Sequence, residues 1–140
     1  MIMPSYKNNI LITRAYRLVR AKSYTYLSEH DLNATEWSII GLVFESASGI
    51  TLSDVAKSIE IKKPLVTLLV DKLAKRKLIE RIPNKADSRS KLLVIMPEGE
   101  ALIQKIETDI EKSFSELFAN LTTEEIDTYF KVLETIISND

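Results

Sequence analysis

The chain contains no cysteine and a single histidine, His30, and these two absences remove much of ordinary enzyme chemistry. Without cysteine there is no disulfide framework, thiolate metal site or thiol nucleophile. One imidazole cannot build a multi-histidine metal centre, and a Ser-His-Asp relay would have to centre on His30 alone. Glycine (three residues) and proline (four) are sparse, and the 140 residues show no internal repeat, low-complexity tract or linker, so one domain is expected. Long apolar runs are missing as well: Trp37 to Phe44 is closed by Glu36 and Glu45, far short of the roughly 18 residues that a membrane span needs. Met1 to Tyr6 lacks the charged-then-apolar opening of a secretory signal, so a cytoplasmic setting is expected. No activated nucleophile, metal-ligand cluster or phosphate loop emerges from the pattern, and the expectation is a non-enzyme without cofactor or metal.

Charge is balanced in total, with 19 Lys and Arg against 20 Asp and Glu, but it is not balanced along the chain. Residues 57–97 hold eleven basic side chains and four acidic ones, a net +7, whereas residues 98–140 hold three and eleven, a net −8. A basic middle followed by an acidic end is an electrostatic footprint for a polyanion, with the acidic segment facing elsewhere.

Hydrophobic spacing predicts a long helix over 5–29, with Ile12, Tyr16, Val19, Tyr26 and Leu27 near helical intervals. Asn33 and Glu36 form a capping signature for a second helix, which Ser46 to Gly49 end. Thr51 caps a short third helix with Leu52, Val55, Ala56 and Ile59 on one face. Pro64 suits the first turn of a fourth, ending near Lys77, in which Leu65, Leu69 and Leu73 are expected to face the core and Lys63, Thr67 and Lys72 to face outward. Leu78 to Ile82 and Leu92 to Met96 read as a β-hairpin with a long basic tip. Pro97 starts a fifth helix with a stripe running from Ile103 to Leu121, and Thr122 with Glu125 launches a sixth whose Ile126, Tyr129, Phe130, Leu133, Ile136 and Ile137 are expected to point inward.

A short helix, a turn, a second helix with outward Lys and Thr, and a hairpin with a basic tip make up the winged helix-turn-helix plan. A helix about 10–12 Å across fits the major groove of B-DNA. The hairpin tip then reaches the adjacent minor groove, where a narrow groove favours arginine, and Arg89 is the tip's only arginine. Asp87 would be a poor phosphate clamp but a sensible partner for holding Arg89 in one orientation.

Val66 to Leu73, Leu78 to Arg81 and above all Asp87-Ser88-Arg89-Ser90 resemble the multiple-antibiotic-resistance regulator (MarR) family, and the likeness extends to Leu32–Glu36 and Leu121–Glu125. The resemblance implies a mainly α fold with a small β-hairpin wing, made of a winged helix-turn-helix lobe at 33–97 and dimerisation helices at 1–30 and 98–140. It implies a cytoplasmic homodimeric regulator, acting as a repressor on a pseudo-palindromic operator in double-stranded DNA. DNA contact is expected from Lys62, Lys63, Thr67, Lys72, Lys85, Asp87, Ser88, Arg89 and Lys91. It also implies release by a small aromatic or anionic effector, for which Tyr16, Tyr26, His30 and Trp37 are the candidate lining. Sensing by thiol oxidation is excluded by the lack of cysteine. Three positions depart from the family pattern: Leu68 stands where a basic residue is frequent, Lys77 where a glycine commonly ends the fourth helix, and Met96-Pro97 where Leu-Thr is usual. The alternative from another class is a winged-helix adaptor whose acidic face binds a basic protein.

Overall fold

The computed structural model describes residues 3–140; Met1 and Ile2, the start of the expected 1–30 dimerisation segment, lie outside them. The elements are α1 (Ser5–Glu29), α2 (Ala34–Glu45), β1 (Ile50–Thr51), α3 (Leu52–Ile59), α4 (Lys63–Lys75), β2 (Ile79–Pro83), β3 (Lys91–Ile95), α5 (Pro97–Leu117) and α6 (Thr123–Ser138).

Helix starts follow the local chemistry. The Glu36 amide donates to Asn33 Oδ1 at 2.8 Å while the Asn33 amide donates to Glu36 Oε2 at 3.0 Å, and Thr122 with Glu125 repeats the reciprocal cap on α6. Thr51 accepts from the Asp54 amide at the head of α3. The helix ends are more costly. Asp31, Glu60 and Lys77 all take positive φ, at 52°, 53° and 58°, after α1, α3 and α4. Each is followed by an amide that reaches back to a carbonyl five residues earlier, as Leu78 does to Leu73 at 3.1 Å. This is the closure that glycine ordinarily supplies without strain.

The three-stranded antiparallel sheet runs β1-β3-β2, with Ile50 opposite Leu93 and Arg81 opposite the same residue on the other edge. The expected hairpin is present, its strands displaced by one residue, and β1 is an addition that two residues of pattern could not announce. The core gathers Ile39, Ile40 and Val43 of α2, Val55 of α3, Val66, Val70 and Leu73 of α4, Ile79 and Leu93 of the sheet, and Ile103, Ile106 and Ile110 of α5. At the entry to α5, a Cβ on Gly99 would run into the Leu78 carbonyl, so the helix can lie this close to β2 only with glycine there.

Three expectations need correction. In α4 the buried stripe is Val66, Val70 and Leu73; Leu69 is half-buried and Leu65 is exposed. One step along a helix turns by about 100°, and packing against α2, α3 and β2 selects the valine stripe over the leucine one. Helix α5 stops at Leu117, which leaves Leu121 exposed in the connection to α6. Finally, Tyr129, Phe130, Leu133, Ile136 and Ile137 of α6 do not point into a core: no residue of α6 is buried, and Ile137 is 73% exposed. Tyr129 lies 6.2 Å from Phe118, ring centre to ring centre, so α6 leans on the end of α5 through aromatic rings.

Candidate nucleic-acid interface

Two elements carry the basic surface. Helix α4 begins at Lys62 without a side-chain cap, and Lys62 and Lys63 stand exposed at its N-terminus. Its partial positive charge and the two ammonium groups therefore add at one end of the helix. Thr67 is half-buried and its hydroxyl donates back to the Lys63 carbonyl at 3.0 Å. The centre of the outward face belongs to Leu68, 66% exposed, with Leu65 beside it and Lys75 two turns further on. Sequence spacing does not mark Leu65 and Lys75 as surface residues, because the leucine stripe turns the helix the wrong way.

Lys72 has a different occupation from the one expected. Its ammonium lies 2.8 Å from Glu36 Oε1, and Glu36 is the same residue whose other oxygen caps α2. Glu36 is 1% exposed, so Lys72 ties α4 to the head of α2 and is engaged before any phosphate arrives. Arg76 makes a second tether, donating to the carbonyls of His30 at 2.7 Å and Asp31 at 3.0 Å. Arg81 of β2 holds Asp71 of α4 at 2.6 Å.

The wing tip is folded on itself. Asn84 accepts from the Ala86 amide and donates to Ser90 Oγ at 3.0 Å, and the Ser90 amide donates to the Asp87 carbonyl at 3.2 Å. Asp87 Oδ1 accepts from both the backbone amide and Nε of Arg89 at 3.0 Å, and Oδ2 accepts from Nη2 at 3.3 Å. The Arg89 guanidinium, and after it the Arg89 amide, hold the Asp87 carboxyl below the usual carboxylate range. Arg89 itself remains 90% exposed. Nε and Nη2 of the fork are engaged by the one carboxylate, which leaves the outer face of the guanidinium free. Lys85 and Ser88 of the tip and Lys91 at the start of β3 are exposed.

The four aromatic and histidine candidates do not converge on one cavity. Tyr16 lines a cleft of about 240 Å³ with Arg20, Thr35, Ser38 and Ile61, between α1, α2 and the end of α3. Arg20, not anticipated from sequence, donates to the Tyr16 hydroxyl at 2.6 Å and is the cleft's cation. Trp37 opens instead onto a groove with Phe44 and Ile103, and the Tyr26 hydroxyl is paired with Ser113 at 2.8 Å. His30 sits at the C-cap of α1 and lines neither cleft. Among the described residues there is no cluster of His, Asp and Glu able to hold a metal, and no helix long and apolar enough to cross a membrane.

The model of the MarR family matches residues 32–91, from just before α2 to the first residue of β3. Over nearly the whole chain, the sequence is 26% identical to the HTH-type transcriptional regulator MhqR of Bacillus subtilis, covering 97% of this chain and 93% of that one. Together these likenesses support a MarR-family regulator. The matched family is one of DNA-binding transcriptional regulators, and the relative is itself a transcriptional regulator. Among solved structures, CouR from Rhodococcus jostii RHA1 bound to p-coumaroyl-CoA has the same fold, with a TM-score of 0.83 at 23% identity over 91% of this chain and 90% of that one. A variant of S. aureus MepR bound to an oligodeoxyribonucleotide matches with a TM-score of 0.66 at 22% identity, over 98% and 99%. The matched stretch contains α4, β2, the wing tip as far as Lys91 and the Glu36–Lys72 tether, while His30 and Asp31, which hold Arg76, lie just before it.

Proposed function

We propose that this MarR-family regulator works in the cytoplasm as a homodimeric repressor on a pseudo-palindromic operator and is released by a small aromatic or anionic effector. The observation that carries this reading is α6: sixteen residues whose apolar face is in water along its length. An amphipathic helix gains most of its stability from burying that face, so α6 needs a cover. Ile10, Leu11, Ile12 and Leu18 expose a second apolar face on α1, and Leu11, Ile12 and Leu133 share a cleft between the two helices. Two copies covering each other's α1 and α6 satisfy both faces by symmetry. The dimerisation role is thus assigned to 1–30 and 98–140 and the DNA role to 33–97, with the first half of α5 also serving the lobe's core.

In that dimer, the two α4 helices enter successive major grooves about 34–36 Å apart. Lys62, Lys63 and Thr67 meet phosphates or base edges, Arg89 enters the minor groove in the orientation Asp87 gives it, and Lys85, Ser88 and Lys91 contact the backbone. Lys72 is assigned to positioning α4. The effector is assigned to the Tyr16 and Arg20 cleft, where an aromatic ring and a guanidinium suit an aromatic acid; the p-coumaroyl-CoA bound to CouR supports a small-molecule ligand in this family.

The test is fluorescence anisotropy on the DNA upstream of the chain's own gene against a scrambled duplex at two salt concentrations, with light scattering for mass. The reading expects a dimer that prefers the upstream fragment. Phe130→Glu with Ile137→Glu should give monomers that lose the preference. A wild-type monomer, or equal salt-labile binding to both duplexes, would sink it, and binding to neither duplex would favour the protein adaptor.

A further inference from the structure

We infer that Leu68, with Leu65 beside it, makes this regulator read the methyl groups of thymine in the major groove. The inference rests on the proposed placement of α4 in that groove. Leu68 is the most outward apolar side chain of α4, and it and Leu65 are 66% and 47% exposed while the valine stripe opposite is sealed. They are framed by Lys62 and Lys63 at the helix start and by Lys75 beyond, all in solvent. The occupant of this small apolar spot therefore has to be an object that is anionic around its rim and offers an apolar group at its centre.

Duplex DNA fits that description at one kind of position. On the major-groove edge, adenine, guanine and cytosine present only donors and acceptors, which a leucine desolvates without replacing. Thymine alone among the common bases adds a methyl group, and apolar side chains meet it by plain contact. A leucine at the centre of the face thus favours thymine and disfavours G·C pairs in the same place. An arginine there would do the reverse through the paired acceptors of guanine. Burying one methyl is worth about fourfold in affinity, and a two-fold symmetric dimer counts it twice, for roughly tenfold or somewhat more.

The experiment selects bound duplexes from a random pool with the wild-type protein, then remakes the preferred duplex with deoxyuridine in place of thymidine. Wild type should bind the uridine duplex about tenfold more weakly than the thymidine one. Leu68→Ala, an exposed change that leaves the core intact, should bind both duplexes alike, near the wild-type affinity for uridine DNA. Arg89→Ala serves as the control for altered minor-groove shape: it should weaken binding yet keep the thymidine-to-uridine ratio. Equal wild-type affinity for the two duplexes, or an undiminished ratio in Leu68→Ala, overturns the inference even though DNA is bound. If Lys63→Ala and Leu68→Ala both keep full affinity and salt dependence, α4 is not in the groove, and the placement fails together with the inference.

Discussion

Lys72→Met separates a structural lysine from a phosphate-binding one. Methionine keeps the unbranched stem but withdraws the ammonium from Glu36, whose carboxylate is 1% exposed and would be left with the Asn33 amide as its partner. A hydrogen bond to a charged group is worth about 1.5–3 kcal/mol, and breaking a fully buried ion pair about 3–5. Lys72 is 54% exposed, so water can reach its side of the pair, and the loss should sit near the lower bound at about 2 kcal/mol. For a chain of this size that corresponds to a melting temperature lower by roughly 4–8 °C. Glu36→Gln keeps an acceptor for the α2 cap and frees Lys72 to solvent, so it should cost less, about 1 kcal/mol. The double variant should be less destabilised than the sum by about 1 kcal/mol. Denaturant titrations at fixed protein concentration measure all four corners of this cycle. DNA binding supplies the independent readout. Log affinity against log salt should keep its slope in Lys72→Met, whereas Lys63→Ala should make it shallower by about 0.9 for each phosphate no longer neutralised. A shallower slope in Lys72→Met with unchanged stability would refute the assignment and return Lys72 to the phosphate-binding set.

Lys77→Gly should stabilise the protein by about 0.5–1 kcal/mol, since relief of the left-handed strain outweighs the extra freedom of the unfolded chain. Asp31→Gly, where a short polar side chain already tolerates that region, should gain less, and thermal denaturation of the two variants tests the ranking. Gly99→Ala should destabilise by about 1–3 kcal/mol in the same assay, because the added methyl meets the Leu78 carbonyl. The Asp87 carboxyl should titrate below the usual range in a carbon-detected NMR titration and move up in Arg89→Ala. Because its folded value is depressed, the order this contact gives the wing is complete above the ordinary carboxylate range and is lost as pH falls through the lowered value.

What was legible in the sequence was written in neighbours. Asn33 and Glu36, Thr51 and Asp54, and Thr122 and Glu125 are three residues apart, so each pair meets as soon as a single helical turn forms. Asp87 and Arg89 are two apart and close their fork within one turn of loop. Helix starts, the hairpin and the clamp at its tip were therefore readable before any packing was known. The Glu36–Lys72 pair spans thirty-six residues and the Arg76–His30 tether forty-six, and neither partner carries a local sign of the other. Strand β1 exists only because β3 arrives beside it. The four candidate effector residues lay on adjacent helices in sequence, yet helix rotation sends Tyr16 and Trp37 into separate clefts, and Arg20 joins Tyr16 instead.

Helix α4 shows most plainly where the division lies. Its sequence by itself determined that a helix would form and that it would be amphipathic, because backbone hydrogen bonding and side-chain spacing are settled within a few turns. It carried two apolar stripes one residue apart, and nothing within the helix chooses between them. Only the surfaces of α2, α3 and β2 made that choice, burying Val66 and Val70 and turning Leu68 out to the centre of the exposed face. A stripe is a property of the chain, but which stripe is buried depends on the shape of what lies against it.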